Sequence, residues 1–228
     1  MSPAPHSPTD PDAVEALFRE VLFSDAAMAR ADGKIVAQHR SRAEGGVLLD
    51  QGHRNFVEQV LETLRPGTEV HELGSGSGLL ALHLHLLGFP ATNIAGDARR
   101  AAFSTALAEG VRGAAGPFGE RFRICAIDPV GRLAHLLPEQ SPGAVLVSSN
   151  CMGTRLAGAE GQTLDMVAHY DAAVVDLARF TTRREGKAVA ALRERFAKRG
   201  LVGAAAADAR IVHLVRAQGR DPQTQAVR

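Results

Sequence analysis

Between Val70 and Leu84 the chain passes through Glu72-Leu73-Gly74-Ser75-Gly76-Ser77-Gly78 straight into Leu79-Leu80-Ala81-Leu82-His83-Leu84. Three glycines at alternate positions, set between a strand-like and a helix-like apolar run, call for a sharp strand-to-helix turn. Glycine reaches positive φ without steric cost and lets a ligand come close to the backbone. Amides at such a turn, and at the start of the helix after it, can hold polar parts of a cofactor. A length of 228 residues accommodates one layered domain around this turn, with room for a small appendage.

Beyond the turn, strand-like and helix-like segments alternate, the pattern of a mostly parallel sheet with helices on its faces. The strands read as Glu69 to Leu73, Asn93 to Asp97, Phe122 to Ile127, Ala144 to Asn150, Ala172 to Phe180, Val202 to Ala206 and Ile211 to Arg216. Helices read as Gly78 to Leu87, Ala98 to Gly110, Val130 to Leu137, a segment within Gly161 to His169, and Gly186 to Gly200. Met166, Tyr170, Val174, Leu177 and Thr181 also lie at helical spacing; the β-branched Val174-Val175 pair favours strand. Ahead of the turn, Asp12 to Phe23 and Asn55 to Leu64 have amphipathic helical patterns. Between them Ala26 to Gly46 is polar and glycine-punctuated, a loop or broken helix of the kind that forms a lid. The expected organisation is a disordered tail over 1–11, an N-terminal helical lid or substrate segment over 12–66, a Rossmann-like domain over 67–218 and a second tail over 219–228. The fold class is α/β, with a seven-stranded, mostly parallel sheet flanked by helices.

The turn is not a dinucleotide or phosphate loop. A nicotinamide-binding loop normally reads Gly-x-Gly-x-x-Gly, and position 79 here is Leu; a phosphate-binding loop needs a Gly-Lys-Ser/Thr that is missing. Glu72, two residues before the first glycine, would repel a pyrophosphate but suits a cationic ammonium. A second acid, Asp97, closes the next strand, where ribose hydroxyls lie in folds of this kind. It also reads as a helix N-cap ahead of Ala98-Arg99-Arg100, and the two roles are compatible.

In this arrangement the chain resembles motif I of the class I S-adenosylmethionine (SAM)-dependent methyltransferases, Glu/Asp-x-Gly-x-Gly-x-Gly. The resemblance covers roughly Glu69 to Arg216 through strand order and a final antiparallel hairpin, and its specific part is confined to Val70 to Asp97. It implies SAM as cofactor, with Gly74, Ser75, Gly76 and Gly78 along its methionine and sugar. Glu72 would then stand near the methionyl ammonium and Asp97 at the ribose. Asp128, in Ala126-Ile127-Asp128-Pro129, falls where the family often holds the adenine amino group, and it reads equally as a turn-forming Asp-Pro.

In such a fold the substrate approaches the end of the fourth strand, Val147-Ser148-Ser149-Asn150-Cys151-Met152-Gly153, which makes Asn150 the first candidate for a polar group aimed at methionine or acceptor. Cys-Met-Gly after Asn150 departs from the Asp/Asn-Pro-Pro-Tyr/Phe motif of nucleic-acid amino methyltransferases. Tyr170, the chain's single tyrosine, could orient an amine or be an ordinary core residue. His53 could act as general base from the lid, or lie on the surface. Cys151 reads as a structural thiol, and His83, His85 and His213 lack ligand spacing, so no metal is expected.

A net charge of +1 lacks the basic excess of nucleic-acid binders. Nor is any apolar run near the roughly 18 residues of a transmembrane span. Two cysteines do not make a disulfide framework, and the reducing cytoplasm is the default location. The expected partner is a small-molecule substrate, neither nucleic acid nor membrane, with room for a homodimer. The leading expectation is methyl transfer to O or N of a small metabolite. One alternative is a SAM cyclase making azetidine-2-carboxylate and methylthioadenosine, for which no acceptor motif is needed; another is a non-catalytic SAM-binding subunit.

Overall fold

The structure, a computed structural model, describes residues 10–75, 77–115, 122–126, 143–149, 170–176, 185–203 and 211–217. The chain divides into two compact units, Met1–Leu136 and Leu137–Arg228.

In the first unit four helices precede the first strand: α1 (Pro11–Phe23), α2 (Asp25–Met28), α3 (Gly33–Glu44) and α4 (Gln51–Thr63). Each begins on a short polar side chain that accepts from a backbone amide of its first turn. Asp10 accepts from Asp12, Ser24 from Ala27, Asp32 from Lys34 and Ile35, and Asp50 from His53. These caps satisfy donors that the helices cannot satisfy internally. The polar stretch from Ala26 to Gly46 is therefore the broken helix of the two readings, interrupted at Asp32, whose side chain restarts it as α3.

Then follow β1 (Val70–Ser75), α5 (Leu79–Leu86), β2 (Ala91–Ala95), α6 (Ala98–Ala115) and β3 (Phe122–Ala126). The three strands are parallel in the order β3-β2-β1, with Val70 opposite Ala91 and Ala91 opposite Phe122. Helical crossovers are the usual way to join parallel neighbours.

All eight residues of α5 are buried, His83 and His85 included. A helix apolar all round has to be covered on every side. It contacts β1 and β2, and its Leu79, Leu82 and Leu86 share a core with Phe18 and Leu22 of α1, Leu48 and Leu49 before α4, and Phe103 and Leu107 of α6. Arg54 ties α4 to α1, donating to Asp12 at 2.6 Å, Glu15 at 2.8 Å and the Leu49 carbonyl at 3.1 Å. Residues 12–66 thus pack with the first half of the 67–218 segment, and the division between units falls after Leu136.

In the second unit β4 (Val145–Ser148) runs parallel to β5 (Ala172–Asp176). β7 (Ile211–Arg216) is antiparallel to β5, and β6 (Leu201–Gly203) is antiparallel to β7, giving the order β4-β5-β7-β6. The helix α7 (Glu185–Lys198) packs on β6. The ambiguous segment after Tyr170 is strand over Ala172–Asp176, where Ala173, Val174 and Val175 are fully buried. Such a continuous apolar run fits a strand covered on both faces. Residues 177–180, and the helices expected over 130–137 and within 161–169, lie outside the described residues. Three of the five described strand pairings are parallel, so the fold is the expected α/β one, with seven strands and a mostly parallel sheet. Among the described residues no helix is long and apolar enough to cross a membrane.

Candidate functional site

At the carboxyl end of β1 the ladder to β2 slips: Leu73 lies opposite Ile94, and Ser75, two residues on, opposite Ala95. The extra residue is Gly74, and a one-residue bulge of this kind bends the strand end. Ser77 and Gly78 then complete the turn. Gly78 is the N-cap of α5 with φ of 72° and offers no side-chain cap of its own. Glu72 takes over that role: its Oε2 accepts from the Ala81 amide at 2.9 Å, although the residue is only 4% exposed. The carboxylate satisfies one of the orphan donors of α5 and lies favourably at the positive end of the helix dipole.

Behind the turn lies a polar relay that the sequence reading missed. Asn93 of β2 lies 2.6 Å from Ser104 Oγ of α6, which in turn lies 2.6 Å from the carbonyl of Ser77, and all three residues are buried. The carbonyl can only accept, so the Ser104 hydroxyl donates to it and accepts from the Asn93 amide group. One signal was available: Asn93 is a lone amide inside the apolar run Ala91-Thr92-Asn93-Ile94-Ala95, and buried amides of that kind need a partner.

Asp97 follows β2 by two residues. Because Ser75 pairs with Ala95, it lies at the same strand edge as the glycine turn. Its Oδ1 accepts from the Arg100 amide at 2.9 Å and its Oδ2 pairs with the Arg100 guanidinium, an N-cap geometry for α6. Partial burial opposes ionisation of Asp97, but the Arg100 amide and the Arg100 and Arg99 charges outweigh it and hold the carboxyl below its ordinary value. The N-cap reading is therefore realised, with the carboxylate ionised.

His53 lies in the first turn of α4, its amide bonded to Asp50 at 2.8 Å. Its ring Nε2 is 3.0 Å from Nδ1 of His83, and the two rings stack with centroids 5.3 Å apart. His83 is fully buried and its Nε2 has no hydrogen-bond partner among the described residues. Burial pushes its pKa down to about 4, helped by the nearby Arg54 charge. Spacing had given His83 no role, because a contact across 30 residues leaves no periodic trace.

In the second unit Tyr170 is 3% exposed, just ahead of β5. Its carbonyl accepts from Arg216 at 3.1 Å while Arg216 also pairs with Asp171 at 2.8 Å. Gly76, Asp128 and Asn150 lie outside the described residues, and Gly74 and Ser75 are described through their backbone alone. The first unit thus gathers Glu72, Gly78 and Asp97 on one strand edge, the carboxyl edge at which open α/β sheets bind ligands.

No protein-family model matches the chain, and no curated protein does. Solved structures do. Magnesium protoporphyrin IX methyltransferase (ChlM) from Synechocystis PCC 6803 with bound SAH is similar over 91% of this chain and 100% of its own, at 13% identity and a TM-score of 0.52. PH1948 from Pyrococcus horikoshii, described as a candidate RNA methyltransferase, is similar over 73% of this chain and 84% of its own, at 14% identity and a TM-score of 0.52. A variant of MtNAS in complex with S-adenosylmethionine is similar over 90% of this chain and 72% of its own, at 11% identity and a TM-score of 0.50. The acceptors these names give differ, as is usual where one fold hosts many chemistries. The chain has the class I, Rossmann-like fold of the SAM-dependent methyltransferases.

Proposed function

We propose that the chain binds S-adenosylmethionine at the carboxyl edge of β1 and β2 and transfers its methyl group to an oxygen or nitrogen of a small molecule. The observation that carries the reading is the placing of two carboxylates, Glu72 and Asp97, beside the glycine turn on that edge. An acidic donor set suits a cationic amino-acid nucleoside and repels a pyrophosphate. Glu72 would meet the methionyl ammonium, the charge complement of its carboxylate. Asp97 would accept from the ribose hydroxyls, Gly74, Ser75, Gly76 and Gly78 would line the methionine and sugar, and Asp128 would hold the adenine amino group. When bound, SAM supplies a methyl group on a positively charged sulfur, which an acceptor lone pair displaces to leave a neutral thioether.

The rest of the work is positioning and proton removal. Asn150 and Tyr170 are the groups we assign to orienting the acceptor. His53 is the candidate base, held in place by the contact of its Nε2 with Nδ1 of His83. The near-neutral net charge favours a small acceptor over nucleic acid. A reducing cytoplasm suits a chain with two cysteines.

Asp97→Ala tests the site. It should weaken SAM binding at least about tenfold by calorimetry, roughly one lost charged hydrogen bond, while loss of the α6 cap costs about 1 kcal/mol of stability. Unchanged affinity would sink the assignment. Incubating the protein with SAM alone, read by mass spectrometry, tests the reaction. SAM that stays intact until an acceptor is added supports methyl transfer. Methylthioadenosine and azetidine-2-carboxylate formed without acceptor would overturn it in favour of intramolecular displacement by the SAM amino group on its own γ-carbon.

A further inference from the structure

Gly78 is enclosed. A Cβ built on it would fall 2.5 Å from Asn93 Nδ2 and closer still to Ser104 Oγ. The atoms that fill that space are those of the buried relay, so the relay and the turn are packed as one piece. From this we infer that Asn93 and Ser104 are positioning residues for the cofactor turn: by pinning the Ser77 carbonyl toward α6, they fix the orientation of the Ser77–Gly78 peptide. The inference rests on the SAM-binding reading of that turn.

The argument is one of peptide geometry. In a trans peptide the C=O and the N–H point in opposite directions. A Ser77 carbonyl held by Ser104 therefore sets the direction of the Gly78 N–H, away from α6. Glycine at the αL position offers little resistance to rotation of that peptide by itself. A flipped peptide would turn a carbonyl dipole to the face where the amide stood. The relay has a fixed direction, amide to hydroxyl to carbonyl, and only an amide or another donor at position 93 maintains it. Neither Asn93 nor Ser104 needs to touch the cofactor for this.

Two substitutions and two readouts test the inference. Ser104→Ala removes the hydroxyl with little change of volume. It should speed amide exchange across residues 72–82 about tenfold and weaken SAM binding by a similar factor, the scale of one hydrogen bond lost in a buried network. Asn93→Asp keeps the shape but reverses the relay, because a carboxylate would draw the Ser104 hydroxyl away from Ser77. A buried carboxyl titrates high, and once protonated it donates again. The variant's SAM affinity, weakened at pH 8, should therefore recover toward pH 6 while the wild-type affinity at the same two pH values sets the baseline. At pH 8 the faster exchange should be confined to residues 72–82, whereas a general loss of stability would spread it over the whole unit. Exchange and affinity unchanged in Ser104→Ala would overturn the inference, as would loss in Asn93→Asp without recovery. A wild-type protein that does not bind SAM would instead refute the proposed function, and the exchange measurement alone would then decide for or against the latch.

Discussion

Replacing Gly78 with alanine is expected to lower stability by about 2–5 kcal/mol and to abolish cofactor binding. Two costs add. A φ of 72° places an L side chain in the left-handed region, at roughly 1–2 kcal/mol. The new methyl would also overlap Ser104 Oγ and Asn93 Nδ2, and overpacking of a filled site costs typically 1–3 kcal/mol. Relief would require Ser104 to move, which breaks its bond to the Ser77 carbonyl. Gly46 supplies the control. Its φ is 68°, yet a Cβ there meets nothing within 4 Å, so Gly46→Ala should show the conformational cost alone, about 1 kcal/mol. On a domain of this size the Gly78 variant should melt roughly 5–15 °C lower. Equal melting temperatures for the two variants would show that the packing around Gly78 gives way without cost.

The glycine turn was legible because its requirement is local: a sharp reversal between strand and helix has few residue solutions. The helix after it was equally legible, since Leu79 to Leu86 is apolar at nearly every position. What covers that helix was not. That α1 and the residues before α4 share its core follows from tertiary packing, and amphipathic patterns in 12–66 say only that one face is buried, not against what. The Ala26 to Gly46 stretch left loop and broken helix both open because its residues are polar and glycine-punctuated; the Asp32 side chain, accepting from two amides, restarts a helix there and decides for the second. Asp97 was legible as an N-cap because N-capping is written within three residues of sequence. The Asn93–Ser104–Ser77 relay and the His53–His83 contact were not, since each joins residues 11 to 30 positions apart on different elements. Side-chain partners of buried polar groups are set by which helix lies over which strand, and periodicity carries no record of that.

The His53–His83 pair makes the first unit sensitive to acid. His83 is fully buried, and burial, with the Arg54 charge second, lowers its pKa from 6.5 to about 4. In the neutral ring, a proton on Nδ1 donated to His53 leaves Nε2 as a bare lone pair; the other tautomer would bury an N–H with no acceptor among the described residues. The first is the less costly arrangement. A second proton would have to sit on that enclosed Nε2. The unfolded chain therefore binds the proton more readily than the folded one, and stability rises with pH wherever that difference exists. The contribution is complete above about pH 6.5, falls as pH drops, and is exhausted below about pH 4. At about 1.4 kcal/mol per pKa unit, the whole interval is worth about 3 kcal/mol, of which about 2 kcal/mol is lost between pH 7.5 and pH 5. His39 and His71, also lowered chiefly by burial, act with the same sign, so the test is a difference. His83→Leu removes the titrating group and keeps an apolar side chain in the space. Urea denaturation of wild type and variant at pH 7.5 and pH 5 should show the variant losing about 2 kcal/mol less than the wild type. An equal loss in both would mean that the buried ring takes up its proton without penalty, through opening of α4 from α5 before the unit as a whole unfolds.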